Sequence, residues 1–135
     1  MNLVNKSEIT FVIVSLESIE GIRTCLKNIG NDYKVIVAEN SNNINIKNEI
    51  ESNFINAKCI LLGKNQGYAS AANAGISYVK TKFAFLINVD IEIYDYQINK
   101  LENELNKLEN NFSVVSPFYD DFKDFIENNK FDKLF

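Results

Sequence analysis

The sequence lacks histidine and tryptophan, and it contains two cysteines, one proline and one arginine. Without histidine the chain cannot build a Ser-His-Asp or Cys-His nucleophile pair, and it has no imidazole to act as a base or bind a metal. The two cysteines, Cys25 and Cys59, are too few for a disulfide framework or a four-cysteine zinc site. We expect both to be buried, reduced thiols of a cytoplasmic protein.

Charge and hydrophobic runs exclude further classes of protein. The chain carries 14 basic and 18 acidic residues, for a net charge of −4, and so lacks the basic footprint of a nucleic-acid binder. No apolar run approaches the roughly 18 residues that a membrane-spanning helix needs. The segment before Ile9 has no apolar core and is not a secretory signal. We therefore expect no membrane span and no nucleic-acid partner.

The 135 residues suit one domain, covering 1–135. Short apolar runs rich in β-branched residues alternate with segments that have apolar residues at helical spacing. The predicted strands are 9–15, 33–39, 57–62, 82–88 and 112–116. The predicted helices are 17–29, a short one through Ile46, Ile50 and Phe54, 68–80, 94–110 and an amphipathic terminal helix in 118–135. This alternation predicts an α/β fold, a mostly parallel sheet with helices on both faces.

Ligands of parallel sheets bind beyond the carboxyl ends of the strands, which directs attention to 15–18, 39–43, 63–67 and 88–93. The chain has no G-x-G-x-x-G and no G-x-x-x-x-G-K-[ST], which argues against a dinucleotide site and a standard P-loop. Ser15 either contributes to a ligand site or helps to start the next helix. Glu39 can accept hydrogen bonds from a ribose or a base N–H, or it belongs to a solvated turn rich in asparagine.

The third strand end leads into a helix whose first turns carry almost no bulk. Asn65 and Asn73 flank Gly67 and a run of alanines. Small residues let a helix backbone approach either the sheet or a ligand, and Gly67 permits a backbone conformation that other residues resist. Tight packing explains the alanines but leaves the two asparagines without a role, so both interpretations stay open.

The fourth strand end carries Asn88-Val89-Asp90 after an apolar run. A carboxylate with an amide two residues earlier can offer oxygen ligands to Mg²⁺, which takes one or two carboxylates plus substrate phosphates. The alternative is an acidic turn at the start of the next helix, where acidic residues are favoured.

Together, these segments resemble the nucleotide-sugar-binding half of a family 2 glycosyltransferase with the GT-A fold, and most nearly its rhamnosyltransferase-like members. The run from Asn65 to Gly75 matches the family's Asn-x-Gly-aromatic-Ala-x-Ala-x-Asn-x-Gly segment at every defined position. Glu39-Asn40-Ser41-Asn42 loosely matches its Asp-Asn-x-Ser stretch, and Asn88-Val89-Asp90 matches its metal motif. The resemblance covers residues 9 to about 117.

The resemblance implies a protein that binds a nucleoside-diphosphate sugar together with Mg²⁺ or Mn²⁺, and a role in polysaccharide biosynthesis. It implies that Asp90 holds the metal, Asn88 supports the phosphate or sugar, and Glu39 contacts the base or ribose. It further implies that Asn65 and Gly67 line the nucleotide pocket. Ser15 and Glu17, at the end of the first strand, complete the predicted binding residues.

The sequence departs from the family pattern in three respects. Glu39 replaces the usual aspartate, and Glu17 stands where an asparagine is common. Forty-five residues follow Asp90, fewer than the family's acceptor-binding half with its catalytic base requires, so the GT-A domain is expected to be truncated. No base is identifiable, since the carboxylates available for this role lie on a predicted surface helix: Asp120, Asp121 and Asp124.

Two other functions are compatible with parts of the pattern. The chain could be a non-catalytic nucleotide-sugar-binding or assembly module that forms a homodimer through the Phe-rich 118–135 helix. A glycan or lipid-linked acceptor belongs to the transferase function, which needs an acceptor-binding half. A receiver-like signalling domain fits the length and alternation. It does not fit the strand ends, because Leu16-Glu17 replaces the acidic pair that such a domain needs.

Overall fold

The computed structural model describes residues 4–108 and shows four strands and four α-helices. A short 3₁₀ turn at Lys6–Glu8 precedes the first strand. The strands are β1 (Ile9–Ser15), β2 (Lys34–Glu39), β3 (Ala57–Leu61) and β4 (Phe83–Asn88). The helices are α1 (Ile19–Ile29), α2 (Ile44–Asn53), α3 (Tyr68–Ser77) and α4 (Asp95–Lys107).

The four strands form one parallel sheet in the order β3-β2-β1-β4. β1 is paired on both sides and every one of its residues is buried. This accounts for its continuous apolar sequence, because a central strand in such a sheet is covered on both faces. The predicted α/β fold with a parallel sheet is confirmed. The predicted strand at 112–116, the terminal helix at 118–135 and its dimer contact lie outside the described residues.

Helices cover both faces of the sheet, as predicted. α1, α2 and α4 share one core with the side chains of Phe11 and Ile13. Phe11 makes edge-to-face contacts with Tyr33 and Phe85, each with ring centroids 5.2 Å apart. On the opposite face α3 packs its small residues against β1 and β2. Among residues 4–108, no helix is both long and apolar enough to cross a membrane.

The start of α1 differs from the prediction. The helix was expected from Glu17, but it begins at Ile19 after Ser18. Glu17 adopts a positive φ of 52°, a conformation that a helix excludes. Its backbone N–H instead donates to a carboxylate oxygen of Glu39, 2.9 Å away. The turn between β1 and α1 is therefore held by β2, and this long-range contact sets the helix boundary.

Both cysteines are unpaired and buried, as expected. Burial raises the pKa of the Cys25 thiol, and the neighbouring Asp90 charge adds to this effect. Burial also raises the pKa of the Cys59 thiol, to about 12. The fold therefore holds both thiols in their protonated form at neutral pH.

We predict that the protein loses stability in alkali through these thiols. The folded state keeps the proton on Cys59, whereas the unfolded chain releases it above a pH of roughly 8.5. The protonated Cys59 thiol makes its full contribution to the free energy of unfolding below that pH. This contribution falls as pH rises toward 12, by at most about 1.4 kcal/mol per pH unit. Urea unfolding between pH 7 and 10 measures it. Cys59→Ala should show a shallower decline than the parent, and equal slopes would contradict the assignment.

Candidate functional site

The sheet register brings the polar strand ends together at one edge. Ser15 at the end of β1 pairs with Glu39 at the end of β2. Val14 pairs with Asn88 at the end of β4, and Leu61 of β3 lies beside Glu39. Because all four strands are parallel, the segments that follow them begin at this same edge. It therefore carries all seven predicted binding residues: Ser15, Glu17, Glu39, Asn65, Gly67, Asn88 and Asp90.

Glu39 is a fully buried acidic residue at the centre of this edge. Its Oε1 accepts hydrogen bonds from the Glu17 backbone N–H at 2.9 Å and from the Ser41 hydroxyl at 2.7 Å. Its Oε2 is buried too and has no hydrogen-bond partner among residues 4–108. Buried carboxylate oxygens are ordinarily satisfied, so one acceptor position at this site needs a donor. The solvated turn considered as an alternative does not describe this side chain.

The turn after β1 uses the side chain of Ser15 and the backbone of Glu17. Ser15 is buried, and its hydroxyl lies 3.4 Å from the Ser18 backbone N–H, just before α1. This position matches the helix-start alternative considered for Ser15. The Glu17 side chain is exposed, while its backbone N–H is directed at Glu39. Both residues lie beside Glu39, and their predicted contact with a ligand stays a prediction.

Asn40 organises the loop between β3 and α3, and sequence reasoning had not assigned it a role. Its side-chain amide donates to Asn65 Oδ1 at 3.0 Å and to the Gly67 carbonyl at 3.2 Å. Its Oδ1 accepts the Gln66 backbone N–H at 2.8 Å. Its own backbone N–H donates to the Ser15 carbonyl at 2.7 Å. The buried Asn40 side chain thus fastens the loop to the end of β2, and the Asn40 backbone N–H joins this position to the end of β1.

The loop itself carries Asn65 and Gly67 at the start of α3. Asn65 Oδ1 accepts the Gly67 backbone N–H at 3.0 Å in addition to the Asn40 contact. Gly67 has a φ of 85°, a value for which glycine is strongly favoured, and it precedes the first residue of α3. The structure thus uses Asn65 to shape the loop, and Asn73, its counterpart in the sequence motif, is exposed on α3.

The segment after β4 is a tight turn that presents Asn88 and Asp90 to solvent. The Ile91 backbone N–H donates to the Asn88 carbonyl at 3.2 Å and closes the turn. α1 contacts this turn through Cys25, whose thiol lies 3.4 Å from the Val89 carbonyl oxygen. α4 begins at Asp95, so Asp90 does not belong to its first turn. The exposed carboxylate therefore projects from a braced backbone.

The donor set at this edge suits a metal that arrives with a phosphate ligand. Within the described part of the chain, no three acidic, cysteine or histidine side chains converge on one point. A single exposed carboxylate, Asp90, is nevertheless what Mg²⁺ typically takes from a protein when substrate phosphates and water supply the other oxygens. The described residues thus fit a shared metal rather than a metal cage made by the protein.

Two shallow cavities lie away from the seven predicted residues. One, of about 170 Å³, is lined by Lys27, Asn28, Tyr94 and Asp95. The other, of about 290 Å³, lies between α2, β3 and Tyr78. Neither is lined by any of these seven residues, although the second reaches Leu61, which pairs with Glu39 at the end of β3. The assignment of the site therefore depends on the register and the hydrogen bonds at the sheet edge, not on a preformed cavity.

A parallel sheet in the order β3-β2-β1-β4, with acidic and amide side chains where its strands end, is consistent with an α/β domain of the GT-A type. A sequence profile described as glycosyl transferase family 2 matches residues 10–131. The chain therefore belongs to this family, which confirms the resemblance and supports a glycosyltransferase-like function. Members of the family commonly use divalent metals. A search of curated proteins found no match. The rhamnosyltransferase-like subtype stays a prediction.

Proposed function

We propose that this chain binds a nucleoside-diphosphate sugar at the carboxyl edge of its sheet, and that the sugar is transferred to a hydroxyl of a glycan or lipid-linked acceptor when an acceptor-binding half is supplied. Membership of glycosyl transferase family 2 supports the reaction class. The observation that carries the binding proposal is the buried Glu39 carboxylate, whose Oε2 has no partner among the described residues. It lies at the same edge as Asn88 and the exposed Asp90.

Glu39 is the proposed contact for the nucleoside. An unpaired buried carboxylate oxygen is costly, and a ligand N–H or O–H group removes that cost while adding a charge-assisted hydrogen bond. A base or a ribose offers such a donor. Because Glu39 is fully buried, the donor reaches Oε2 only after a neighbouring segment shifts. The Glu17 N–H stays bound to Oε1 during this shift, so the segment that moves is one that covers Oε2.

Asp90 and Asn88 are the proposed contacts for the diphosphate end of the ligand. When bound there, Mg²⁺ or Mn²⁺ offsets the negative charge that develops on the leaving diphosphate. Asp90 supplies a carboxylate oxygen to the metal, and Asn88 faces the phosphate or sugar. The turn that carries both residues is braced by α1, so their positions need little reorganisation. The exposed side chains remain accessible to a large ligand.

Nucleotide binding with manganese tests this proposal. Thermal melts of the parent with UDP-, GDP- and dTDP-sugars and Mn²⁺ should show one nucleotide class that raises Tm by several degrees. Ligand at about 100 times its Kd adds about 2.7 kcal/mol of stability. Asp90→Asn should lose the manganese-dependent part of the shift, because the amide is a poorer ligand for a hard cation.

Asp32→Asn is the matched control for this titration. Asp32 is an exposed aspartate beyond the opposite end of the sheet, before β2, where it pairs with Lys6. Its variant should respond to nucleotide and Mn²⁺ as the parent does. If no nucleotide stabilises the parent, or if Asp90→Asn responds like Asp32→Asn, the proposed site is wrong. Binding without sugar transfer would favour the non-catalytic module.

A further inference from the structure

The structure assigns a positioning role to Ser41, resting on the proposed function of Glu39. Ser41 is buried at the start of the β2–α2 connection, and its hydroxyl donates to Glu39 Oε1 at 2.7 Å. The Glu17 backbone N–H donates to the same oxygen at 2.9 Å. We propose that Ser41 holds this carboxylate in the rotation that leaves Oε2 available to a ligand donor.

The hydroxyl of Ser41 has a defined direction because of a third contact. Its Oγ accepts the Asn43 backbone N–H at 3.1 Å. A serine hydroxyl has one proton to donate, and the acceptance of a hydrogen bond on the oxygen leaves that proton for Glu39. A chain of two hydrogen bonds thus runs from the Asn43 N–H through Ser41 to the carboxylate. Bonds in such a chain polarise one another and strengthen the last contact.

The two donors on Oε1 make the two carboxylate oxygens unequal. The terminal torsion of a glutamate is broad, and its oxygens exchange places on rotation. With Ser41 and Glu17 both bound to Oε1, rotation would break two charge-assisted hydrogen bonds. Oε2, which has no partner among the described residues, is therefore the oxygen that receives a ligand N–H or O–H group. Without Ser41, one donor remains to oppose rotation of the carboxylate.

Three variants test this role. Ser41→Ala removes the hydroxyl, and Ser41→Thr keeps it. Asn43→Ala removes a different function, the cap that Asn43 Oδ1 provides to the Asn45 and Ile46 N–H groups of α2. We expect Ser41→Ala to weaken binding of the nucleotide identified by thermal shift by roughly ten-fold, the effect of losing one hydrogen bond to a charged group. Ser41→Thr should restore most of the affinity. Asn43→Ala should lower Tm and leave the affinity unchanged.

A second measurement reads the position of Glu39 without ligand. Amide hydrogen exchange and the ¹H shift of the Glu17 N–H report its bond to Oε1. Ser41→Ala should speed this exchange and move the resonance upfield, whereas Ser41→Thr and Asn43→Ala should not. If the Glu17 amide is the same in Ser41→Ala and the parent, Ser41 does not position the carboxylate.

The two measurements separate the possible failures. If the parent protein binds no nucleotide, both the proposed function and the role of Ser41 in ligand binding are wrong. In that case the exchange rate and shift of the Glu17 N–H still decide whether Ser41 positions Glu39. A parent that binds nucleotide, with a Ser41→Ala variant of equal affinity, overturns the positioning role alone. Equal losses of affinity in Ser41→Ala and Asn43→Ala, with a Glu17 amide that is unchanged in both, would assign the effect to the α2 terminus and also overturn it.

Discussion

Replacing Gly75 with alanine should lower the free energy of unfolding by about 2 kcal/mol. In an exposed helix the same change would add about 1 kcal/mol, because alanine is the better helix former. In α3 a Cβ at this position would lie 2.5 Å from Cγ1 of Val12 and 3.2 Å from Cβ of Ala38. Overpacking of this kind typically costs 1–3 kcal/mol. Urea unfolding measures the loss, and thermal melts should show Tm falling by roughly 8 °C.

Asn73→Ala is the matched control on the same helix. Asn73 is exposed on α3, so this change alters helix propensity without meeting the sheet, and stability should stay level or rise slightly. Val12→Ala provides the second test, because it removes the atom that the new Cβ would meet. The double variant should lose less stability than the two single losses added together. Additive losses, or a stabilised Gly75→Ala, would show that close packing is not the constraint.

Close packing of α3 could be predicted from the sequence because it follows from residue size. The small-residue run left two interpretations open, packing against the sheet or approach to a ligand. The structure buries Ala71, Ala72 and Gly75 against the sheet, which confirms the packing. The strands could be predicted for a similar reason, since continuous apolar runs are required wherever helices cover both faces of a parallel sheet.

The hydrogen bonds of the candidate site could not be predicted in the same way. Asn40 contacts Asn65, Gln66 and Gly67, which lie 25 to 27 residues further along the chain. No local periodicity encodes such pairs. Asparagine is also abundant, at 21 of 135 residues, so residue type alone did not distinguish Asn40 from the other asparagines. One signal was available: Asn40 directly follows a buried strand, where a polar side chain has to find partners.

The start of α1 shows the same limit on prediction. Local pattern placed Glu17 in the helix, whereas the structure gives it a left-handed backbone that directs its N–H at Glu39. The backbone conformation of Glu17 is set by the buried carboxylate of Glu39 on β2, 22 residues away along the chain. Sequence pattern therefore indicated the candidate site and its acidic residues, whose contacts with a ligand stay predictions. The contacts that fix their geometry depended on the assembled sheet.

Glu39→Gln should weaken nucleotide binding by at least roughly 30-fold, about 2 kcal/mol. Glutamine keeps an oxygen for Ser41 and for the Glu17 N–H, and it places an amide N–H₂ group where Oε2 lies. A ligand N–H would then face a donor instead of an acceptor, and a ribose hydroxyl would have to accept a hydrogen bond from the neutral amide instead of donating one to a carboxylate. The free energy of unfolding should stay within about 1 kcal/mol of the parent, because the neutral side chain costs less to bury while its hydrogen bonds weaken. Calorimetric titration with the nucleotide, alongside urea unfolding, measures both quantities.

The manganese dependence separates Glu39 from Asp90. Glu39→Gln should lower affinity by a similar factor with and without Mn²⁺, because its contact is with the nucleoside. Asp90→Asn should lower affinity when Mn²⁺ is present and have little effect without it. Glu39→Ala supplies the structural comparison, since it leaves the buried Ser41 hydroxyl and the Glu17 N–H without their acceptor and should cost about 2–3 kcal/mol of stability. If Glu39→Ala is destabilised in this way while Glu39→Gln binds nucleotide as the parent does, Glu39 serves the β1–α1 turn, and the ligand contact must lie elsewhere at the sheet edge.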